Sequence, residues 1–371
     1  MESAERKRSG FTKKDTALVK GVAIIMMMFH HSFWDKDIVK AFHVTPQILS
    51  LGQLITLGKF CKLCVALFVF LSAYGMTISL KRINPELRFT REQITGYLKR
   101  RYFNLMKGWL FVFAFCEIYA WFYEQLQTDR YGDHLVQSIV YFIIDGLGLA
   151  DLFGTPLLVR TWWYMSLATV IIAIFPLLVM LYRKVGTIGF LIFAVVFPRV
   201  IDIQYEPLMT WFLVIAMGIV FADKNLLARM REFNIVKNRY FDKLIKLVVC
   251  VYGLYVCIHV REYSDVDFFY ELRHGLMCIY LIYMINEFIS PIKYLNSFLR
   301  FVGKYSMDMF LIHTFIRGIF YQDFIYGFKY PLLIMLVLFS LALGVSILIE
   351  LVKRLCGYNK LMERLGERIC R

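Results

Sequence analysis

Long apolar stretches alternate along this chain with short clusters of charge, and most run too far without interruption for helices of a water-soluble core. Ten of them, at 16–34, 54–79, 103–123, 161–182, 186–201, 207–222, 245–260, 272–289, 306–325 and 331–352, approach the ~20 residues that a helix needs to cross a bilayer. An eleventh, LVQSIVYFIIDGLGLADLF at 135–153, is broken by Asp145, Gly146, Gly148 and Asp151. Counted as a span, it would carry the basic pair at 183–184 and the basic 224–246 segment to the other side of the membrane. The pattern therefore predicts an interfacial or re-entrant helix on the outer face. No internal repeat or low-complexity linker divides the chain. The expected fold is an all-α polytopic membrane bundle of about ten transmembrane helices, one domain over 1–371, with a basic N-terminus at 1–15 and a basic tail at 353–371.

Composition agrees. With 59% hydrophobic, 17% aromatic and 19% charged residues and a mean hydropathy of +0.58, the chain is too apolar for an ordinary soluble domain. Its opening could pass for a signal peptide, but the residues after the first apolar run, His30 to Trp34, make a poor cleavage region, so the first span is expected to stay. Placing both termini in the cytosol puts 32 of the 43 Lys and Arg on that side, as the positive-inside rule asks. The net charge of +15 then reports topology and lipid headgroups, and a nucleic-acid partner is unnecessary.

Chemistry is expected where ionisable groups sit within spans, because such groups are costly in hydrocarbon and usually face a cavity or a partner. Lys59 and Lys62 share a face of the second span, Glu117 lies in the third, His30 and His31 close the first, and His313 and Arg317 share a face of the ninth. Glu117 is placed to pair with either basic group. Lys20 and His31 are eleven residues apart, a rotation of about three turns plus 20°, which sets them on one face about 16 Å apart along the axis. His30 would point about 80° away from Lys20. The structural reading of the same residues is a lysine snorkelling to headgroups and a histidine bonded to a neighbouring helix. Cys61 and Cys64 form a CxxC without a second pair at zinc spacing, so packing is expected there and no metal.

In LVKGVAIIMMMFHH, at 18–31, a basic residue, ten intervening residues and a histidine make a spacing that resembles the signature of the acyltransferase 3 family of integral-membrane acyltransferases. LFVFLSAYGM at 67–76, TWWYMSLATVIIAIFPLL at 161–178 and VGKYSMDMFLIHTF at 302–315 are similar to its second, fourth and penultimate spans, and KRRYFNLMKGW at 99–109 to the basic start of its third. The chain departs from the pattern where Lys20 replaces the family's Arg, losing its planar fork, where Ala73 replaces a Gly, and where Ala168 stands near a position that is commonly acidic.

The resemblance implies an enzyme of a bacterial plasma membrane. It would take an acyl group, often acetyl, from coenzyme A thioester in the cytosol and pass it to a hydroxyl of a surface glycan or lipid-linked sugar. On that footing His31 is the expected general base or, as the alternative, a transient acyl carrier. Lys20 orients the donor, with Arg100 and Arg101 as clamps for its phosphates or simply as cytosolic flanking charge. Ser72, Tyr164, Ser166 and His313 are expected as polar groups of the cavity or as links between helices. Trp34, Trp121, Trp162 and Trp163 are expected to stack on a sugar or to form an interfacial belt. Acyl-CoA is a donor substrate, with no tightly bound cofactor. The competing class is a transporter or flippase for an anionic or sugar-containing substrate, since intramembrane charge also marks transport pathways.

Overall fold

The computed structural model describes residues 11–122, 126–201, 204–263 and 270–369, so part of the expected basic N-terminus (1–10), residue 123 of the third expected span, and the end of the tail lie outside it. In chain order the helices are α1 (Lys13–Phe33), α2 (Lys36–Ala41), α3 (Leu51–Phe60), α4 (Cys64–Ile83), α5 (Arg91–Phe122), α6 (Leu126–Tyr131), α7 (Leu135–Gly146), α8 (Trp163–Val200), α9 (Glu206–Asp223), α10 (Leu226–Glu232), α11 (Arg239–Tyr263), α12 (Tyr270–Met284), α13 (Lys293–Lys304), α14 (Ser306–Thr314), α15 (Gln322–Gly327), α16 (Pro331–Leu355) and α17 (Tyr358–Ile369). No strand occurs among the described residues.

Among the described residues, six helical segments are long and apolar enough to cross a membrane: Lys13–Phe33, Leu51–Ile83, Arg91–Phe122, Arg160–Val200, Glu206–Asp223 and Pro331–Leu355. α8 is two helices that meet at Gly186 (φ 74°), where the backbone is not helical, so the expected spans at 161–182 and 186–201 lie on either side of that break. The second expected span is interrupted by a 3₁₀ turn at Cys61–Leu63. The stretch at 306–325 is also broken, with π-helical Phe315–Phe320 between α14 and α15. Hydropathy averages over such breaks, which is why the sequence shows single runs there. The apolar α7 is only 12 residues long, too short to cross. It leaves Leu135, Val136, Ile139 and Ile143 exposed, while Trp109 Nε1 donates to Gly146 O at 2.8 Å.

Helix α1 forms the hub, and its start is set locally by a capping box in which Thr12 and Asp15 satisfy each other's backbone N–H groups. Its largest contact is with α13, and two glycines make that approach possible. A Cβ on Gly303 would stand 1.9 Å from Ala17 O, and one on Gly21 would stand 2.0 Å from Leu299 O. Gly303→Ala is therefore expected to force the helices apart at a cost of about 1–3 kcal/mol. Gly96→Ala, where a Cβ meets nothing within 4 Å, serves as the control. Thermal unfolding in nanodiscs reads both, and equal midpoints would contradict the close α1–α13 approach.

Candidate active site

A cavity of about 950 Å³ opens beside the C-terminal end of α1, with His30, His31 and Trp34 in its wall. The broken helices supply much of the rest. Lys59 ends α3 and Lys62 lies in the 3₁₀ turn, so the interruption presents both ammonium groups to the cavity. Arg317 enters from the π-helical segment after α14, and such distortions recur at functional sites because they re-aim side chains.

The two adjacent histidines have different surroundings. His30 Nδ1 donates to Gly58 O at 2.9 Å, across the contact where a Cβ on Gly58 would stand 2.7 Å from the Phe33 carbonyl carbon. His31 hydrogen-bonds to no described residue, and its ring stands 4.9 Å from His30 and 5.1 Å from His313, centroid to centroid. Its imidazole is thus left to whatever enters the cavity. His313 is fully buried. Its Nδ1 donates to Phe310 O at 2.7 Å, and its Nε2 lies 3.3 Å from the Thr314 hydroxyl. Thr314 in turn meets Thr161 at 3.0 Å. His313 is thus held in this chain of bonds and does not itself line the cavity.

Arg317 is pinned rather than loose. Its Nη1 donates to Tyr326 Oη at 3.1 Å, and Tyr326 donates to Ser32 O, one residue past His31, at 2.9 Å. Arg317 Nε has no hydrogen-bond partner among the described residues although it is buried. A buried, unpaired guanidinium N–H costs free energy, which marks it as a donor in want of an acceptor.

Several residues expected in the cavity lie elsewhere. Lys20 does not line it: half-buried on α1, it faces no carboxylate among the described residues. Glu117 does not pair with a basic group; it accepts from Tyr131 Oη at 2.7 Å, and the same hydroxyl lies 2.8 Å from Asp145. Arg101 is spent on α4, where it bonds Gly75 O and Ser79. Arg100 lines a separate groove between α5 and α17. Ser72 and Tyr164 do not line the cavity, and Ser166 accepts from the Asp151 backbone N–H at 3.2 Å, so it acts as a link between segments. Trp163 and Trp34 line the cavity, and Trp121 is exposed away from it. Trp162 is not external: it is fully buried, with Nε1 donating to Leu311 O at 3.0 Å. Cys61 and Cys64 are buried and form no disulfide among the described residues, and among those residues no His, Cys, Asp and Glu cluster is able to hold a metal.

The cavity also contains groups that sequence reasoning left aside: Arg130, Asp151, Arg160 and Arg273. All four lie outside the middle of the apolar runs, where membrane charge counts for topology and signals nothing more. Burial pushes the Asp151 carboxyl up from its ordinary range.

The sequence model of the acyltransferase 3 family, described as an acyltransferase domain, matches residues 17–351. The chain belongs to that family. For this acyltransferase the match takes in α1 with both Lys20 and His31 and runs into α16, so the whole wall of the cavity falls within it. No curated protein and no solved structure matches the chain. Family and helices together make it a multi-pass membrane protein of the acyltransferase type.

Proposed function

We propose that this acyltransferase moves an acyl group, acetyl in the simplest case, from cytosolic acyl-CoA to a hydroxyl of an extracytoplasmic polysaccharide or lipid-linked sugar, with His31 as the general base. The observation that carries the reading is the unengaged His31 imidazole in a cation-lined cavity within a chain of this family. Lys20 lies about 16 Å back along α1, toward the helix start that the charge pattern assigns to the cytosol. It would meet the donor, and Trp34 and Trp163 offer faces for a sugar ring. The membrane is the bacterial plasma membrane.

The chemistry follows from the groups present. The acceptor oxygen attacks the thioester carbonyl carbon while His31 removes the hydroxyl proton. The carbonyl electron pair moves onto oxygen, and that oxyanion is met by Arg317 Nε–H, with the Lys62 ammonium adding positive potential. Collapse breaks the C–S bond. The leaving thiolate takes the proton held on the imidazole, giving the ester, free coenzyme A thiol and neutral His31. Tyr326 acts on this step only through Arg317, whose guanidinium it holds in place.

Radiolabelled acetyl-CoA supplied to the protein in nanodiscs tests the reading. Binding and slow thioester turnover are expected without acceptor, with faster turnover once a hydroxyl acceptor is added. A transporter or flippase has no use for a thioester, so a folded preparation that neither binds nor turns over acyl-CoA would move that alternative ahead. Family membership does not favour it.

A further inference from the structure

The charge in the cavity wall exceeds what acyl transfer at His31 requires. Six cationic side chains, Lys59, Lys62, Arg130, Arg160, Arg273 and Arg317, line it against one carboxylate among the described residues. That carboxylate, Asp151, is half-buried. Lys59, Arg130 and Arg160 meet no carboxylate within ion-pair distance among the described residues, although nine ion pairs are formed elsewhere. Like charges converging on one concave surface repel, and low-dielectric walls strengthen that repulsion. Lys59, Arg130 and Arg160 are exposed to the cavity mouth, and an anion seated among them would relieve that repulsion.

Arg160 is held in position. It opens the 3₁₀ turn Arg160–Trp162, whose next two residues are bonded to α14: Thr161 to Thr314 at 3.0 Å and Trp162 to Leu311 O at 3.0 Å. The turn is thereby tied to the helix that carries His313, and Trp163 follows it in the cavity wall. A guanidinium fork suits a carboxylate or phosphate, and a neighbouring indole face suits a sugar ring. Lys20, the group expected to meet the donor, is not in this wall.

Resting on the proposed acyl transfer, we infer that the acceptor is an anionic sugar, whose carboxylate or phosphate is held by Arg160, Arg130 and Lys59 while a hydroxyl of the same or a neighbouring residue is presented to His31. A neutral glycan would leave these cations uncompensated.

The test is direct binding to the full chain in nanodiscs of zwitterionic lipid, read by tryptophan fluorescence and checked by calorimetry. The probes are a glucuronate-containing oligosaccharide, its neutral glucose counterpart and a sugar phosphate, each titrated at low and high salt and again with coenzyme A present. At least tenfold tighter binding of an anionic probe than of the neutral one is expected. That preference should weaken with salt, fall at least fivefold in both Arg160→Gln and Arg130→Gln, and survive coenzyme A. Whichever anionic probe binds tighter distinguishes carboxylate from phosphate. Equal affinity for neutral and anionic probes, no binding of any probe, or a preference unchanged in both variants would overturn the inference. So would displacement of the anionic probe by coenzyme A, which would give the cationic wall to the donor. Thioester turnover of the unaltered chain without acceptor is measured separately, so absence of an anion preference alongside intact turnover overturns this inference and leaves the acyltransferase reading standing.

Discussion

His31→Ala is expected to lower acyl transfer by roughly 10²–10⁴-fold, the usual contribution of a positioned general base, with donor binding and thermal stability close to wild type. The reason is geometric. His31 is the cavity histidine with no hydrogen bond to a described residue, so its removal breaks no link between helices. His30→Ala should behave in the opposite way, because it deletes the bond to Gly58 O that ties α1 to α3. Its effect is expected on the melting midpoint, by about 1 kcal/mol, with a smaller effect on the chemical step. Initial rates with labelled acetyl-CoA, taken on samples matched for folded fraction, read the difference. Comparable rates for His31→Ala and wild type would take His31 out of the chemistry, and a crossed result would hand the role to His30.

Arg317→Gln carries the second large effect. Removing one donor from an oxyanion site typically costs about 10²–10³ in kcat, and glutamine keeps part of the volume and a hydrogen-bonding end for Tyr326. The loss should fall on kcat with KM for acyl-CoA nearly unchanged, since the interaction strengthens only as charge develops on the carbonyl oxygen. Tyr326→Phe should reproduce a fraction of that loss. It removes the hydroxyl that accepts from Arg317 and donates to Ser32 O, but leaves the guanidinium charge. A rise in KM without a fall in kcat for Arg317→Gln would make it a ground-state binding group and sink the oxyanion role.

The order of elements, the apolar runs and the chemistry-bearing residues of α1 were legible because each is local. Apolar length marks a membrane helix, and the eleven-residue step from Lys20 to His31 follows from helical pitch alone. The short interrupted segment at 135–153 was readable for the same reason, its aspartates and glycines being incompatible with a lipid-exposed span. The breaks at Cys61–Leu63 and Phe315–Phe320 were not. Each carries one charged residue, Lys62 or Arg317, within an otherwise apolar run, and a charge does not show where a helix departs from α geometry; the distortion answers to packing against other helices.

Partnerships across the chain were equally hidden. Glu117 could be assigned a basic partner from the sequence, because charge is visible there and distance is not. The fold gives it Tyr131 and Asp145 instead. Trp162 and Trp163 are adjacent and chemically alike, yet one is buried against α14 and the other faces the cavity. Periodicity, hydropathy and charge balance thus settled that this is a helical membrane protein, and the resemblance of its segments to the family's pointed to the residues of the signature. Which of two neighbouring histidines is unengaged, which tryptophan meets the cavity and which distant arginines join them were decided by tertiary packing, because contacts between residues as far apart as Ser32 and Tyr326 depend on how helices cross, and no local pattern encodes that crossing.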